Sequence, residues 1–354
     1  MNSDNNFNKQ TKKAPESTRL QRKKRMQKRR RRMRRRRILA GLLLLLIVFG
    51  ISKAIKGFIN KPKTISIEGS LPAWYFGLAY DNLNGINYKP PKEYLNPKDQ
   101  SLEVYDKATT IVKTLVPGSN HITMADDYAY DTKTIRSYIR GEAEYEGKDK
   151  LVFLTFDDGP NNYVTPKILS ILEKNNVHAT FFVVGKDVNE HHEDILKKTV
   201  LKGNSIALHS FSHVYEDLYP EKKADPDKII EEAKLSQGRL KNIFGEDFSS
   251  NVWRYPGGHM SWDNTVKSDE ILKQNGIEWI DWNCMTGDAE PESRRPSSPE
   301  EFVTYVDRTL NKNVHNEVAV VLMHDAKNKD HTVDALQSII DYFKDKDYKF
   351  CILK

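Results

Sequence analysis

Asp157 and Asp158 stand side by side in a T-F-D-D-G-P stretch, and His209 and His213 lie four positions apart in H-S-F-S-H. Two imidazoles and a carboxylate are a suitable ligand set for a divalent ion. They favour zinc, and three protein ligands leave a position for water. The second aspartate can take a proton from that water, whose pKa falls to about 7 in such sites. Adjacent residues point in different directions, so we divide the pair with Asp158 as ligand and Asp157 as base. On a helical turn, His209 and His213 would share one face. Three further polar clusters follow: R-Y-P-G-G at Arg254–Gly258, Asp281-Trp282-Asn283 with Asp288 beyond, and L-M-H-D at Leu322–Asp325.

Each cluster alone has an ordinary structural explanation. Gly and Pro end strands everywhere, so D-D-G-P is a common turn. An H-x-x-x-H pair is more often two surface or core histidines than two ligands. His324 alone reads as a hydrogen-bonded structural histidine, and Arg254 as one half of a solvated ion pair. Their joint occurrence, each at the end of a strand-like run, is what overturns these explanations.

Those runs are Leu151–Phe156, Val177–Val184, Asn204–Leu208, Asn251–Arg254, Ile277–Asn283, Glu317–Met323 and Tyr348–Leu353. Helical spacing appears at Val164–Lys174, His192–Leu201, Lys228–Ile243 and Asp334–Phe343. Strands alternating with helices predict a parallel sheet, open or closed into a barrel. In such barrels the chemistry sits at the C-terminal strand ends, where these clusters fall.

The clusters, taken in order, make the sequence resemble the polysaccharide deacetylases, carbohydrate esterase family 4, which share the NodB homology domain. Thr155–Pro160 resembles the first family motif and His209–His213 the second; Arg254–Gly258 and Leu322–Asp325 resemble the third and fifth. The resemblance implies a distorted (β/α) barrel. It implies that Asp158, His209 and His213 bind zinc, or cobalt or another divalent ion. It further implies Asp157 as general base, His324 as general acid and Arg254 as the holder of the base. The Gly257 N–H would stabilise the oxyanion, and Leu322 would line the pocket for the acetyl methyl.

The fourth motif departs from the family pattern, D-x-x-D-W. Aligned on Trp282, the first Asp falls on Met285, the second on Asp288 and the Trp on Ala289. A shifted alignment offers Asp281-Trp282, and Trp282 is counted with the substrate-contacting residues. Asp281, Asp288 or Asp325 is left to support His324.

Residues 1–37 hold 17 lysines and arginines against Asp4 and Glu16, a local +15; with +7 for the whole chain, the rest carries −8. Basicity therefore belongs to a tail, and a nucleic-acid partner is not expected. Ile38–Ile51 is apolar apart from glycine, and with Ser52–Phe58 it reaches about 20 residues, enough to cross a bilayer. The basic flank keeps the N-terminus cytoplasmic. A cleaved signal peptide is the competing view, but its charged region would be unusually long and no A-x-A site follows. The expected organisation is a disordered tail at 1–37, a transmembrane helix at 38–58, a linker with a small accessory or spacer region at 59–147, and the catalytic domain at 148–354. Cys284 and Cys351 allow one bridge at most, and two buried thiols are the preferred reading.

The resulting expectation is a single-pass membrane protein whose domain outside the cell removes N-acetyl groups from a glycan. N-acetylglucosamine of peptidoglycan is the first choice of substrate. Another exopolysaccharide or a chitin-type oligomer is the alternative, as is a non-catalytic glycan-binding protein on the same fold. The bilayer and the glycan are the expected partners, with no obligate protein partner.

Overall fold

The computed structural model describes residues 114–313 and 315–354. The expected tail, the transmembrane segment 38–58 and the first part of the accessory region lie outside the described residues. Among the described residues no helix is long and apolar enough to cross a membrane.

In chain order the main elements are β1 (Ala129–Tyr130), α1 (Thr132–Ile139), β2 (Lys150–Gly159), α2 (Thr165–Asn175), β3 (Ala179–Val183), α3 (Glu193–Leu201) and β4 (Ser205–Leu208). Then come α4 (Tyr215–Leu218), α5 (Pro226–Phe244), β5 (Val252–Trp253), α6 (Thr265–Gln274), β6 (Glu278–Trp279) and β7 (Cys284–Met285). The chain continues through α7 (Pro299–Leu310), β8 (Val318–His324), α8 (Asp330–Asp345), β9 (Tyr348–Phe350) and β10 (Ile352–Leu353). A parallel sheet runs in the order β6-β5-β4-β3-β2-β8-β7, with β9 added beside the start of β2.

The predicted strand at 277–283 is not one strand. It is replaced by β6 and β7, which lie at opposite edges of the sheet. Only residues 280–283 separate them, a reach of under about 20 Å for so short a stretch. The sheet must therefore curl until its edges approach, giving a half-barrel with helices outside. Each edge is occupied by a side chain. At β6 the Arg136 guanidinium of α1 donates to the Trp279 carbonyl at 2.6 Å. At β7 the Thr309 hydroxyl of α7 takes the Met285 N–H at 3.0 Å and lies 3.1 Å from the Met285 carbonyl.

Alternation along the strands divides the core in two. On β2, Val152, Leu154 and Phe156 face the helices, while Leu151 and Phe153 face the barrel interior with Phe182, Ala207, Val252, Val318 and Val320. Both faces of β2 are buried, which is why it reads as a continuous apolar run. The helices begin at readable signals. Asp225 caps α5 by accepting from the N–H groups of Asp227 and Lys228 at 3.0 and 3.1 Å, with Pro226 following.

Residues 114–147, read above as accessory or spacer, pack on this body. Asn120 donates its side-chain amide to the carbonyls of Ile206 and Leu353, both at 3.1 Å. β1 pairs with β10, and Ile122, Ala125 and Ile135 are buried. Cys284 and Cys351 are both buried and unbridged, and burial pushes each thiol up to about 12.

Candidate active site

The inward-facing column that begins with Leu151 and Phe153 continues upward through Thr155 to Asp157. On the paired strand, Val318 and Val320 continue to Leu322 and His324, and Asp157 is the cross-strand partner of His324. The same alternation carries Ala207 to His209 and Val252 to Arg254. An apolar interior thus becomes polar at the C-terminal rim, on several strands at once. Asp158 breaks the alternation. The ladder with β3 shifts register between Asp157 and Gly159, and Asp158 takes a left-handed φ of 76°. That turn brings its carboxylate to the same centre as the histidines.

Asp158 Oδ1 lies 3.3 Å from His213 Nε2 and 3.6 Å from His209 Nε2. One donor atom from each of the three falls within 4.8 Å of the others. Ligands at about 2.0–2.1 Å from a tetrahedral zinc stand about 3.3 Å apart, so this donor set fits such an ion. His209 Nδ1–H donates to the Arg254 carbonyl at 2.9 Å, which fixes the tautomer and leaves Nε2 with its lone pair. Burial lowers the His209 pKa to about 3, so the ring is neutral and available as a ligand. The two histidines do not share a helical turn, contrary to the expectation from their spacing. Residues 209–213 form a loop in which Ser210 and His213 have φ of 59° and 56°. Three left-handed non-glycine residues around one centre is strain of the kind held at functional sites.

Asp157 stands beside this set. Its Oδ2 is 3.9 Å from His209 Nε2, and its Oδ1 receives Arg254 Nη1 at 2.8 Å. Burial raises the Asp157 pKa, and the charges of Arg254 and His324 oppose that rise. Arg254 is fully buried: it also donates to Thr155 Oγ1 at 2.7 Å and to the carbonyls of Ile280 and Asp281 at 3.2 and 3.1 Å. Its guanidinium lies 3.9 Å from the Phe182 ring centre.

Of the three carboxylates that could support His324, the structure selects Asp288. Its Oδ1 receives His324 Nδ1–H at 3.0 Å, and its Oδ2 receives the His324 main-chain N–H at 2.7 Å. The Thr332 hydroxyl adds a third bond to Asp288 at 2.9 Å. Burial disfavours a charged His324 ring, but Asp288, with Asp157 and Asp158 beyond it, outweighs burial and lifts the pKa to about 9. Asp281 instead accepts from the N–H groups of His259 and Met260, holding the loop after β5. Asp325 is buried against the Thr165 hydroxyl at 2.5 Å, and burial pushes it up to about 7. Met285, standing where an aspartate was sought, lies on β7 as the partner of Leu322.

These groups surround a cleft of about 330 Å³ lined by Asp157, Asp158, His209, His213, Gly257, Trp282, Leu322 and His324. Arg254 supports the floor without lining it. The cleft also takes in Asp288, one of the three candidates for supporting His324, and residues that the sequence did not single out: Tyr215, Glu290 and Tyr305. Tyr305 donates its hydroxyl to Glu290 at 2.8 Å, and Arg294 donates to the same carboxylate at 3.1 Å. Tyr215 sits two positions beyond the second motif, a signal that was available. Glu290 and Tyr305 come from a loop and from α7, where nothing in the sequence marks a site.

A half-barrel with a His-His-Asp donor set at its C-terminal rim, and Asp157 and His324 beside it, fits a hydrolase site. Residues 144–280 match the profile of the polysaccharide deacetylase family. A carbohydrate esterase family 4 enzyme of Streptococcus mutans is similar in structure, with 41% identity and a TM-score of 0.65 over 69% of this chain and 99% of its own. A peptidoglycan-N-acetylglucosamine deacetylase of Bacillus cereus is 29% identical over 59% of this chain and 71% of its own. A peptidoglycan-N-acetylmuramic acid deacetylase of Bacillus subtilis is 28% identical over 59% of this chain and 39% of its own. The chain belongs to the polysaccharide deacetylase family, carbohydrate esterase family 4.

Proposed function

We propose that this protein hydrolyses the N-acetyl group of N-acetylglucosamine in peptidoglycan, outside the membrane that residues 38–58 span. The observation that carries the reaction is the placement of two proton-handling groups beside one donor triad: Asp157, held by Arg254, and His324, held by Asp288.

A divalent ion, zinc by the chemistry of the donors, would be held by Asp158, His209 and His213, and would polarise the acetamide carbonyl and acidify water. Asp157 takes the proton of the attacking water through Oδ2, while Arg254 fixes Oδ1. The Gly257 N–H donates to the oxyanion that develops on the acetyl oxygen. Gly257 suits that task because its φ of +79° brings the chain past Trp262 at a distance that leaves little room for a side chain. Leu322 and Trp282 close around the acetyl methyl. His324, charged at neutral pH and oriented through Nδ1, gives the Nε2 proton to the leaving nitrogen. The C–N bond breaks, and acetate and the free amine leave.

Among the relatives, the Bacillus cereus peptidoglycan deacetylase is named for N-acetylglucosamine, and that likeness supports the same sugar here. The test is acetate release from purified cell wall by the full chain supplied with zinc, followed by mass analysis of the muropeptides. Acetyl loss confined to glucosamine is expected. Loss on muramic acid would overturn the choice of sugar, and no acetate from wall or from chitin oligomers would overturn the enzyme reading.

A further inference from the structure

α5 buries a stripe formed by Ile229, Ile230, Ala233, Ser236 and Leu240, and Glu232 lies on it, 1% exposed. A buried carboxylate is costly unless several donors reach it. Here they do. Glu232 Oε2 receives the main-chain N–H groups of Phe211 and Ser212 at 3.0 and 3.1 Å, and Oε1 receives the Ser212 hydroxyl at 2.7 Å. Lys228, one turn earlier, brings its ammonium to 3.7 Å. One turn later, the buried Ser236 hydroxyl donates to the Ser210 carbonyl at 3.0 Å. The Glu232–Ser236 edge of α5 therefore engages three consecutive residues, and those three are the ones between His209 and His213.

We propose that Glu232 is a positioning residue for the metal donors. It holds the 209–213 loop in the bend that brings His213 beside His209 and Asp158. The bend is not one the chain takes unaided, since Ser210 and His213 both have left-handed φ, which residues other than glycine disfavour. Three bonds to one carboxylate offset that cost. Without them the loop can relax, His213 leaves Asp158, and the donor set loses a member while His209, tied to the Arg254 carbonyl, stays in place. Glu232 touches neither ion nor substrate, so it acts only through the loop.

This inference rests on the triad as a metal site, and the test separates the two. Zinc affinity of the full chain, stripped of metal, is measured against a chromophoric chelator for wild type, Glu232→Ala, Glu232→Gln and Ser212→Ala, with far-UV circular dichroism and melting temperature of each metal-free protein. We expect zinc affinity to fall about 10- to 100-fold in Glu232→Ala, the range seen when groups that orient ligands are removed, and by less in Glu232→Gln and Ser212→Ala. A purely structural carboxylate would lower the melting temperature and leave the affinity of the folded protein unchanged. Unchanged affinity in every variant that folds, with tight binding by wild type, overturns this proposal alone. A wild type that binds no zinc overturns the triad and this proposal together.

Discussion

Asp288 holds His324 at two points, its ring Nδ1–H at 3.0 Å and its main-chain N–H at 2.7 Å, so one carboxylate sets both the orientation of the ring and the path of the strand end that carries it. The double grip explains why Asp288 does this task from a position that alignment on Trp282 gives to the second aspartate of the fourth motif. Asp288→Asn keeps the shape and removes the charge. We expect kcat to fall roughly 100-fold, within the range for a positioned proton donor. The alkaline limb of the pH–rate profile should move down, because Asp288 is the group that most raises the His324 pKa against the effect of burial. A limb that stays in place would detach Asp288 from the tuning of His324.

Asp157→Asn should abolish turnover and leave zinc content nearly unchanged, because Asp157 stands outside the triad with one oxygen committed to Arg254. Asp158→Asn should lose zinc. Metal analysis of the two purified variants checks the division, and the reverse pattern would exchange the roles of the two aspartates.

The His324–Asp288 pair also bears on stability. The folded state raises the His324 pKa from 6.5 to about 9, so it binds that proton more tightly than the unfolded chain does. The pair's contribution is fully present below about pH 6.5 and is lost as pH rises through about 9. Metal-free wild type should therefore lose melting temperature relative to His324→Gln between pH 7 and 10. Parallel curves for the two proteins over that window would count against the pair.

Arg254→Met removes four donated bonds and leaves Asp157 buried without its counter-charge. Breaking a buried pair by deleting one partner typically costs about 3–5 kcal/mol. Urea unfolding should show a loss of that size, and a loss under about 1 kcal/mol would show that the guanidinium is replaceable.

Much of this was legible in the sequence because the barrel obeys a period of two. Leu151, Phe153, Thr155 and Asp157 alternate along one strand, and the step from apolar to polar at its end marks the rim. His209 and Arg254 follow the same rule on β4 and β5. The rule fails where the backbone leaves regular geometry. Spacing suggested a helical turn for His209 and His213, but left-handed residues bend the loop instead, and Glu232 is on a helix 19 positions beyond His213. The run at 277–283 reads as one strand because Ile277, Trp279, Ile280 and Trp282 are β-prone, and composition does not report that the chain on either side joins opposite edges of a sheet. The helix α6 was missed because its buried stripe is thin, only Thr265, Ser268 and Leu272. The helix α7 could have been found: Ser298 and Pro299 start it, and Phe302, Val306 and Leu310 repeat at four-residue spacing.

The side chains at the sheet's two edges have a bearing on self-association. A half-barrel that does not close its ladder offers two places where a strand from another molecule could add. Here each open edge is two residues long, and Arg136 at one and Thr309 at the other already occupy main-chain groups that an incoming strand would use. Thr309→Val keeps the shape and frees the Met285 N–H and carbonyl. A fibril-forming or strand-exchanged species should then appear first along β7.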